Sequence, residues 1–174
     1  MQKYKSFFGF ILFFLMLNCI DVYADTIRTT GDILQIALPA IGLTTAVLIN
    51  DSSLIKESIS GMAVNAAITQ SLKYSINRKR PDGGDLSFPS GHTSSAFHGA
   101  AFIDMNYGSK AGLAAYTLAT IVAYSRVRAN RHYISDVVAG AIVGIYSAKF
   151  AKENMSLSSY KDEDVTWIKF SVIY

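Results

Sequence analysis

Lys73-Tyr74-Ser75-Ile76-Asn77-Arg78-Lys79-Arg80-Pro81 and, after a short gap, Pro89-Ser90-Gly91-His92 decide how this chain folds. The first stretch ends a helical pattern that runs from about Leu54 to Ile76. The loop that follows, Asn77 to Pro89, carries Pro81, Gly83, Gly84 and Pro89, which forbid a long regular element. The second stretch opens another helix, Gly91 to about Met105, rich in Ala, Ser and Thr. Cations at the end of one helix and a Ser-Gly-His start of the next are thus returned to one place by one loop.

Working outward, Thr29-Thr30-Gly31-Asp32 reads as a helix start with Asp32 as N-cap. Ile33 to Ile49 follows without a charge, interrupted by Pro39. Asn50-Asp51-Ser52-Ser53 is a turn and a fresh N-cap for the second helix. Asn106-Tyr107-Gly108 stops the third. A fourth runs from Lys110 to Ser125, and a fifth from about Ser135, its N-cap, to Lys152, with Asp136 in its first turn. Gly140 and Gly144 lie four apart, a spacing that allows close helix approach. From Lys161 to Tyr174 the pattern becomes β-branched and aromatic, which suits a short strand or an extension packed over apolar surface. The expectation is an all-α bundle of about five helices with its site at one end and no central sheet. Its divisions are residues 1–24, a helical domain at 25–160 and a tail at 161–174.

The chain is 51% apolar and 17% charged, apolar for a soluble domain yet mild for a fully embedded one. Much of the net +3 charge sits at Arg78, Lys79, Arg80, Arg126, Arg128 and Arg131. No Lys/Arg run spreads along a helix face, so the cations suit an anionic substrate rather than nucleic acid. One cysteine, Cys19, excludes a disulfide framework within the chain and a thiolate metal cluster. Leu17-Asn18 before it is poor for lipidation. Residues 1–24 read as a secretion signal: Lys3 and Lys5, the apolar run Phe7 to Leu17, then Val22-Tyr23-Ala24 before Asp25. The alternative is an uncleaved first membrane helix, for which the run is short.

A third motif completes the chemistry: Ser125-Arg126, then His132 and Asp136. Arg grips two phosphate oxygens at once and Lys makes a point contact. Free N–H groups at the Ser90-Gly91 helix start, with the Ser90 hydroxyl, form an anion site beside His92. A plain N-cap serine with a satisfied histidine fits those residues equally well. Asp136, four residues past His132, can hold the ring N–H of that imidazole and free its other nitrogen to attack, or can be an ordinary cap. In an up-down bundle all of these positions fall at one end. Two imidazoles, a carboxylate and fixed cations suit phosphoryl transfer without a metal.

The three motifs resemble those of the type 2 phosphatidic acid phosphatase and vanadium haloperoxidase superfamily. Its pattern is Lys-x6-Arg-Pro, Pro-Ser-Gly-His and Ser-Arg-x5-His-x3-Asp, and every specified position is matched between Lys73 and Asp136. The resemblance implies His132 as nucleophile forming a phosphohistidine, Asp136 as its partner and His92 as acid to the leaving group. It implies Lys73, Arg80, Ser90, Gly91 and Arg126 as phosphate binders. Three histidines without a suitable carboxylate cluster give no metal site, and no cofactor is expected. The expected substrate is a phosphomonoester or diphosphate, of a phosphatidic acid-like, lipid A-like or prenyl lipid. The expected place is a bacterial cell envelope, membrane-associated, with the site facing the periplasm.

Three other readings stay open. They are a soluble, broad-specificity periplasmic acid phosphatase, a vanadium-dependent haloperoxidase, and a non-catalytic phospholipid-binding membrane protein. Outside the motifs, His98 reads as a helix-face residue. Arg128, Arg131 and Tyr133 flank the third motif and either bind a second anionic group or are solvated.

Overall fold

A computed structural model describes residues 26–162 and 165–172, with side chains through residue 153. The signal or first span expected at 1–24 lies outside the described residues. Five helices form the body: α1 (Thr26–Leu48), α2 (Ser52–Ile76), α3 (Gly91–Tyr107), α4 (Ser109–Arg128) and α5 (Ile134–Asn154). Two strands, β1 (Met155–Asp162) and β2 (Val165–Val172), follow as an antiparallel hairpin, paired from Met155 with Val172 to Asp162 with Val165. The hairpin therefore begins directly after α5, ahead of the tail boundary expected at Lys161. It stands outside the helical bundle, lying alongside α2 and α5.

Two local expectations change in the structure. Asp32 is not an N-cap, because α1 begins at Thr26. Gly31 beside it is a packing glycine: a Cβ there would collide with the Ser125 hydroxyl of α4. Thr30 stays inside the helix by donating its hydroxyl to the Thr26 carbonyl at 2.8 Å. Nor does Pro39 interrupt α1. The helix runs through it, and Leu38 and Pro39 lie against Gly99 of α3, where a Cβ would come within 2.5 Å of the Pro39 nitrogen.

Other ends follow their local chemistry. The Asp51 carboxylate caps α2, accepting from Ser53 and Leu54 N–H groups at 2.9 and 3.1 Å. Asn77 closes it in the left-handed region at φ 42°, returning its N–H to the Lys73 carbonyl. Side chain 135 is not the cap of α5. The helix begins at Ile134, and the Asp136 carboxylate reaches back to the Tyr133 N–H at 2.9 Å.

α3 is the central element and touches each of the other four helices. Its neighbours come close because the contact residues are small. The core joins Leu38, Ala96, Ala100, Ile103, Ala115, Ala119 and Val122. Gly140 and Gly144 of α5 pass directly over the carbonyls of Ser90 and Ser94. The buried stripe of α2 is Ser58, Gly61, Asn65 and Thr69, polar or small throughout. By contrast the outer faces are apolar: Ile33, Ile36, Ile41 and Leu48 on α1, and Val138, Ile142 and Tyr146 on α5, are exposed. By length and composition α1 and α5 could each cross a membrane.

The end of α2, the start of α3, the end of α4 and the start of α5 meet at one end of the bundle. The Ser90 N–H donates to the Asp136 carbonyl at 2.9 Å, tying two of these ends directly.

Candidate active site

Five of the eight expected site residues, Lys73, Arg80, Gly91, His92 and His132, line one cavity of about 450 Å³. Ser90 and Asp136 lie behind it, fully buried. Arg126, 3% exposed, sits beside it.

His132 is held by the loop between α2 and α3. Its Nδ1 lies 2.7 Å from the Ser87 carbonyl, which can only accept, so Nδ1 carries the proton and Nε2 keeps its lone pair. The expected direct bond from Asp136 is absent: Asp136 Oδ2 is 3.8 Å from Nδ1. Its lone pairs are taken elsewhere. Oδ2 accepts from the Ser87 hydroxyl at 2.5 Å and the Tyr133 N–H at 2.9 Å, and Oδ1 accepts from Arg78 at 2.9 Å. Asp136 is therefore the anchor of the loop whose carbonyl holds the imidazole. Arg78 also stacks 4.1 Å over the Tyr133 ring, and its backbone carbonyl accepts from the Ser87 N–H.

Burial, with Lys73 and Arg80 nearby, lowers the His132 pKa from 6.5 to about 4, against the opposing pull of the Ser87 carbonyl and Asp136. The ring is neutral near pH 7, as a nitrogen nucleophile must be.

Lys73 Nζ donates to the carbonyls of Leu86 and Pro89, each at 2.8 Å, and keeps one N–H. Leu86 stands in the left-handed region at φ 57°, a conformation that costs a branched residue energy. Arg80 donates from Nε to the Asp85 carbonyl at 2.9 Å and lines the cavity. Ser90 is the N-cap of α3, and its hydroxyl accepts from the Thr93 hydroxyl at 3.0 Å. Gly91 exposes the helix start to the cavity, where a Cβ would sit 3.7 Å from Lys73 and Thr69.

Asp32 is the residue the sequence reading missed. One oxygen, Oδ1, accepts from Arg126 Nη1 at 2.6 Å and meets His92 Nε2 at 3.1 Å. Arg126 is further fixed by the Arg28 carbonyl at 2.7 Å. The signal was available: a carboxylate inside an otherwise apolar helix is a functional candidate by default. Of the flanking residues, Arg131 pairs with Asp82 at 3.0 Å. The Gly84 N–H, then Arg131 and Arg80, hold the Asp82 carboxyl below its usual value. Among the described residues no group of three His, Cys, Asp or Glu side chains is arranged to hold a metal.

Residues 82–158 match the family model described as the PAP2 superfamily. A stretch of 89 residues, 49% of the chain, is 45% identical to lipid A 1-phosphatase of Porphyromonas gingivalis, although it spans 20% of that longer protein. Over 158 residues, 82% of this chain and 79% of the relative, the chain is 28% identical to lipid A 4'-phosphatase of Helicobacter pylori. Its fold resembles the crystal structure of Aquifex aeolicus LpxE, with a TM-score of 0.64 at 23% identity over 77% of this chain and 86% of that one. The match over residues 82–158 and these relatives support the type 2 phosphatidic acid phosphatase superfamily.

Proposed function

We propose that this protein is a metal-independent phosphatase that removes phosphate from a phosphorylated lipid at a membrane surface. The observation that carries the reading is one cavity lined by a neutral imidazole, a second imidazole, Lys73, Arg80 and the open start of α3. The lipid A phosphatases among its relatives support a lipid substrate. The exposed apolar faces of α1 and α5 support a membrane location.

In this reading His132 Nε2 attacks phosphorus and the P–O bond to the leaving group breaks. His92 gives its proton to the departing oxygen, and Asp32 steadies the protonated ring. Water then attacks the phosphohistidine, His92 takes a proton back, and inorganic phosphate leaves with His132 restored. Lys73, Arg80, the α3 start and Arg126 neutralise the phosphoryl oxygens, a task that a divalent ion performs in other phosphatases.

The test is phosphate release from lipid phosphates by the purified protein, with and without chelator, together with trapping of a phosphoenzyme. His132→Ala should abolish both release and trapping. Label retained in that variant would overturn the assignment, and loss of wild-type activity in chelator, restored by magnesium, would overturn metal independence. Vanadate should inhibit.

A further inference from the structure

Arg78 falls among the six unspecified positions between Lys73 and Arg80, and it is not one of the residues that line the cavity. Its contacts run instead to the two segments that hold His132. One guanidinium nitrogen, Nη1, donates to the Asp136 carboxylate at 2.9 Å and to the Ser135 hydroxyl at 2.8 Å. The guanidinium carbon stands 4.1 Å from the centre of the Tyr133 ring. The backbone carbonyl of Arg78 accepts from the Ser87 N–H at 2.8 Å.

Ser87 and Tyr133 are the residues that fix the imidazole. All three polar groups of Ser87 are engaged: its N–H with Arg78, its hydroxyl with Asp136 and its carbonyl with His132 Nδ1. Tyr133 follows His132 in the chain, so the bond from its N–H to Asp136 holds the backbone beside the imidazole. Arg78 closes both arms. The Asp136 side chain has no exposure, and Arg78 is its ion-pair partner at 2.9 Å. A buried carboxylate stripped of such a partner turns away or takes up a proton. Either change loosens the Ser87 hydroxyl or the Tyr133 N–H. Lysine would restore the charge, but not the planar stack on Tyr133.

Resting on the phosphatase reading, we propose that Arg78 is a positioning residue for the attack. Acting through Asp136 and Ser87, it keeps the His132 Nδ1–H on the Ser87 carbonyl and the Nε2 lone pair free for phosphorus, and it takes no part in binding phosphate.

The experiment has three readings: the rate of phosphoenzyme formation in a single turnover of nitrophenyl phosphate, competitive inhibition by inorganic phosphate, and the imidazole nitrogen resonances of His132, which report its tautomer. Arg78→Met should slow phosphoenzyme formation about tenfold or more, the scale of a misplaced reacting group, and leave phosphate inhibition within about threefold. The Nε2–H tautomer of His132 should gain population. Arg78→Lys should recover part of the rate. In an Asp136→Asn background Arg78→Met should cost little further, because its route is already cut. Weakened phosphate inhibition with an unchanged rate would make Arg78 a substrate contact and overturn the proposal. Lowered melting with rate and tautomer intact would show a structural role alone and overturn it too, as would a full further loss in the Asp136→Asn background. If Arg78→Met fails to fold, Tyr133→Leu, which removes the stacked ring and keeps the N–H, decides by the same three readings. Wild-type protein that releases phosphate from no substrate would defeat the phosphatase reading itself, an outcome distinct from active protein indifferent to residue 78.

Discussion

His132 Nδ1 is bonded to the Ser87 carbonyl at 2.7 Å, while the Asp136 carboxylate stands 3.8 Å away and holds Ser87 by its hydroxyl. The carboxylate acts on the imidazole through a loop. That changes what a substitution at Asp136 should do. Asp136→Asn would turn N–H donors toward Arg78, Tyr133 or Ser87, all of which already donate. Expected are a loss of about 3 kcal/mol in stability, the scale for breaking a buried pair, and a fall in kcat of orders of magnitude as the loop shifts. Ser87→Ala keeps the carbonyl and loses one hydrogen bond, so about 1 kcal/mol and a milder activity loss are expected. Denaturation and steady-state kinetics on both variants check this. Ser87→Ala as damaging as Asp136→Asn would point to a hydroxyl role that the geometry does not give.

The His132 titration is directly measurable. Burial and the two cations beside it lower the pKa, so the ring stays neutral from pH 7 down to about 4. With three histidines in the chain, the ring resonances can be assigned by single substitutions. A His132 midpoint near 4 is expected in substrate-free protein. A midpoint at the ordinary 6.5 would show that the ring is not desolvated.

Asp32 links Arg126 to His92 through one oxygen, so its removal should touch the acid step. Asp32→Asn should lower kcat about tenfold or more on a lipid alcohol phosphate, whose leaving group needs a proton, on the scale of general acid catalysis. Activated nitrophenyl phosphate should be much less affected. Equal losses on both would mean that Asp32 serves Arg126 and phosphate binding instead.

Gly140→Ala tests how the active-site end is assembled. The new Cβ would come within 2.5 Å of the Ser90 carbonyl, a rigid backbone atom at the start of α3. About 1–3 kcal/mol of destabilisation is expected from such overpacking. The displaced Ser90-Gly91 segment should weaken phosphate and vanadate binding as well. Unchanged melting and unchanged vanadate affinity would show that α5 can retreat freely.

Much of this molecule is legible in its residues, for identifiable reasons. Asp51, Asn77 and the glycine-proline loop mark ends that depend on local chemistry, and their helices fall close to where that chemistry puts them. The three motifs lie at those ends, which is why one end of the bundle gathers them. What failed depended on tertiary contact. Gly31 and Pro39 carry break signals, yet both are consumed by packing against Ser125 and Gly99, invisible along the chain. Asp32 is not the cap expected of it, because α1 has already begun at Thr26. Ser87 was beyond reach for another reason: its contribution to His132 is a backbone carbonyl, which any residue possesses.

Location is the remaining question with a clean test. The outer faces of α1 and α5 expose Ile33, Ile36, Ile41, Leu48, Val138 and Ile142, a continuous reason to avoid water. At 1.5 Å per residue, the 23 residues of α1 and the 20-residue apolar segment of α5 reach about 35 and 30 Å, enough for a hydrocarbon core. The charged groups collect at one end with the site, and the opposite end at Asn50 and Gly108 carries fewer. The protein should therefore sediment with membranes, resist carbonate and high salt, and need detergent for release. Replacing Ile36 and Ile142 together by Lys should reduce membrane insertion while leaving the cavity residues untouched. Wild-type protein freed by osmotic shock alone would show that those faces are covered by something other than lipid.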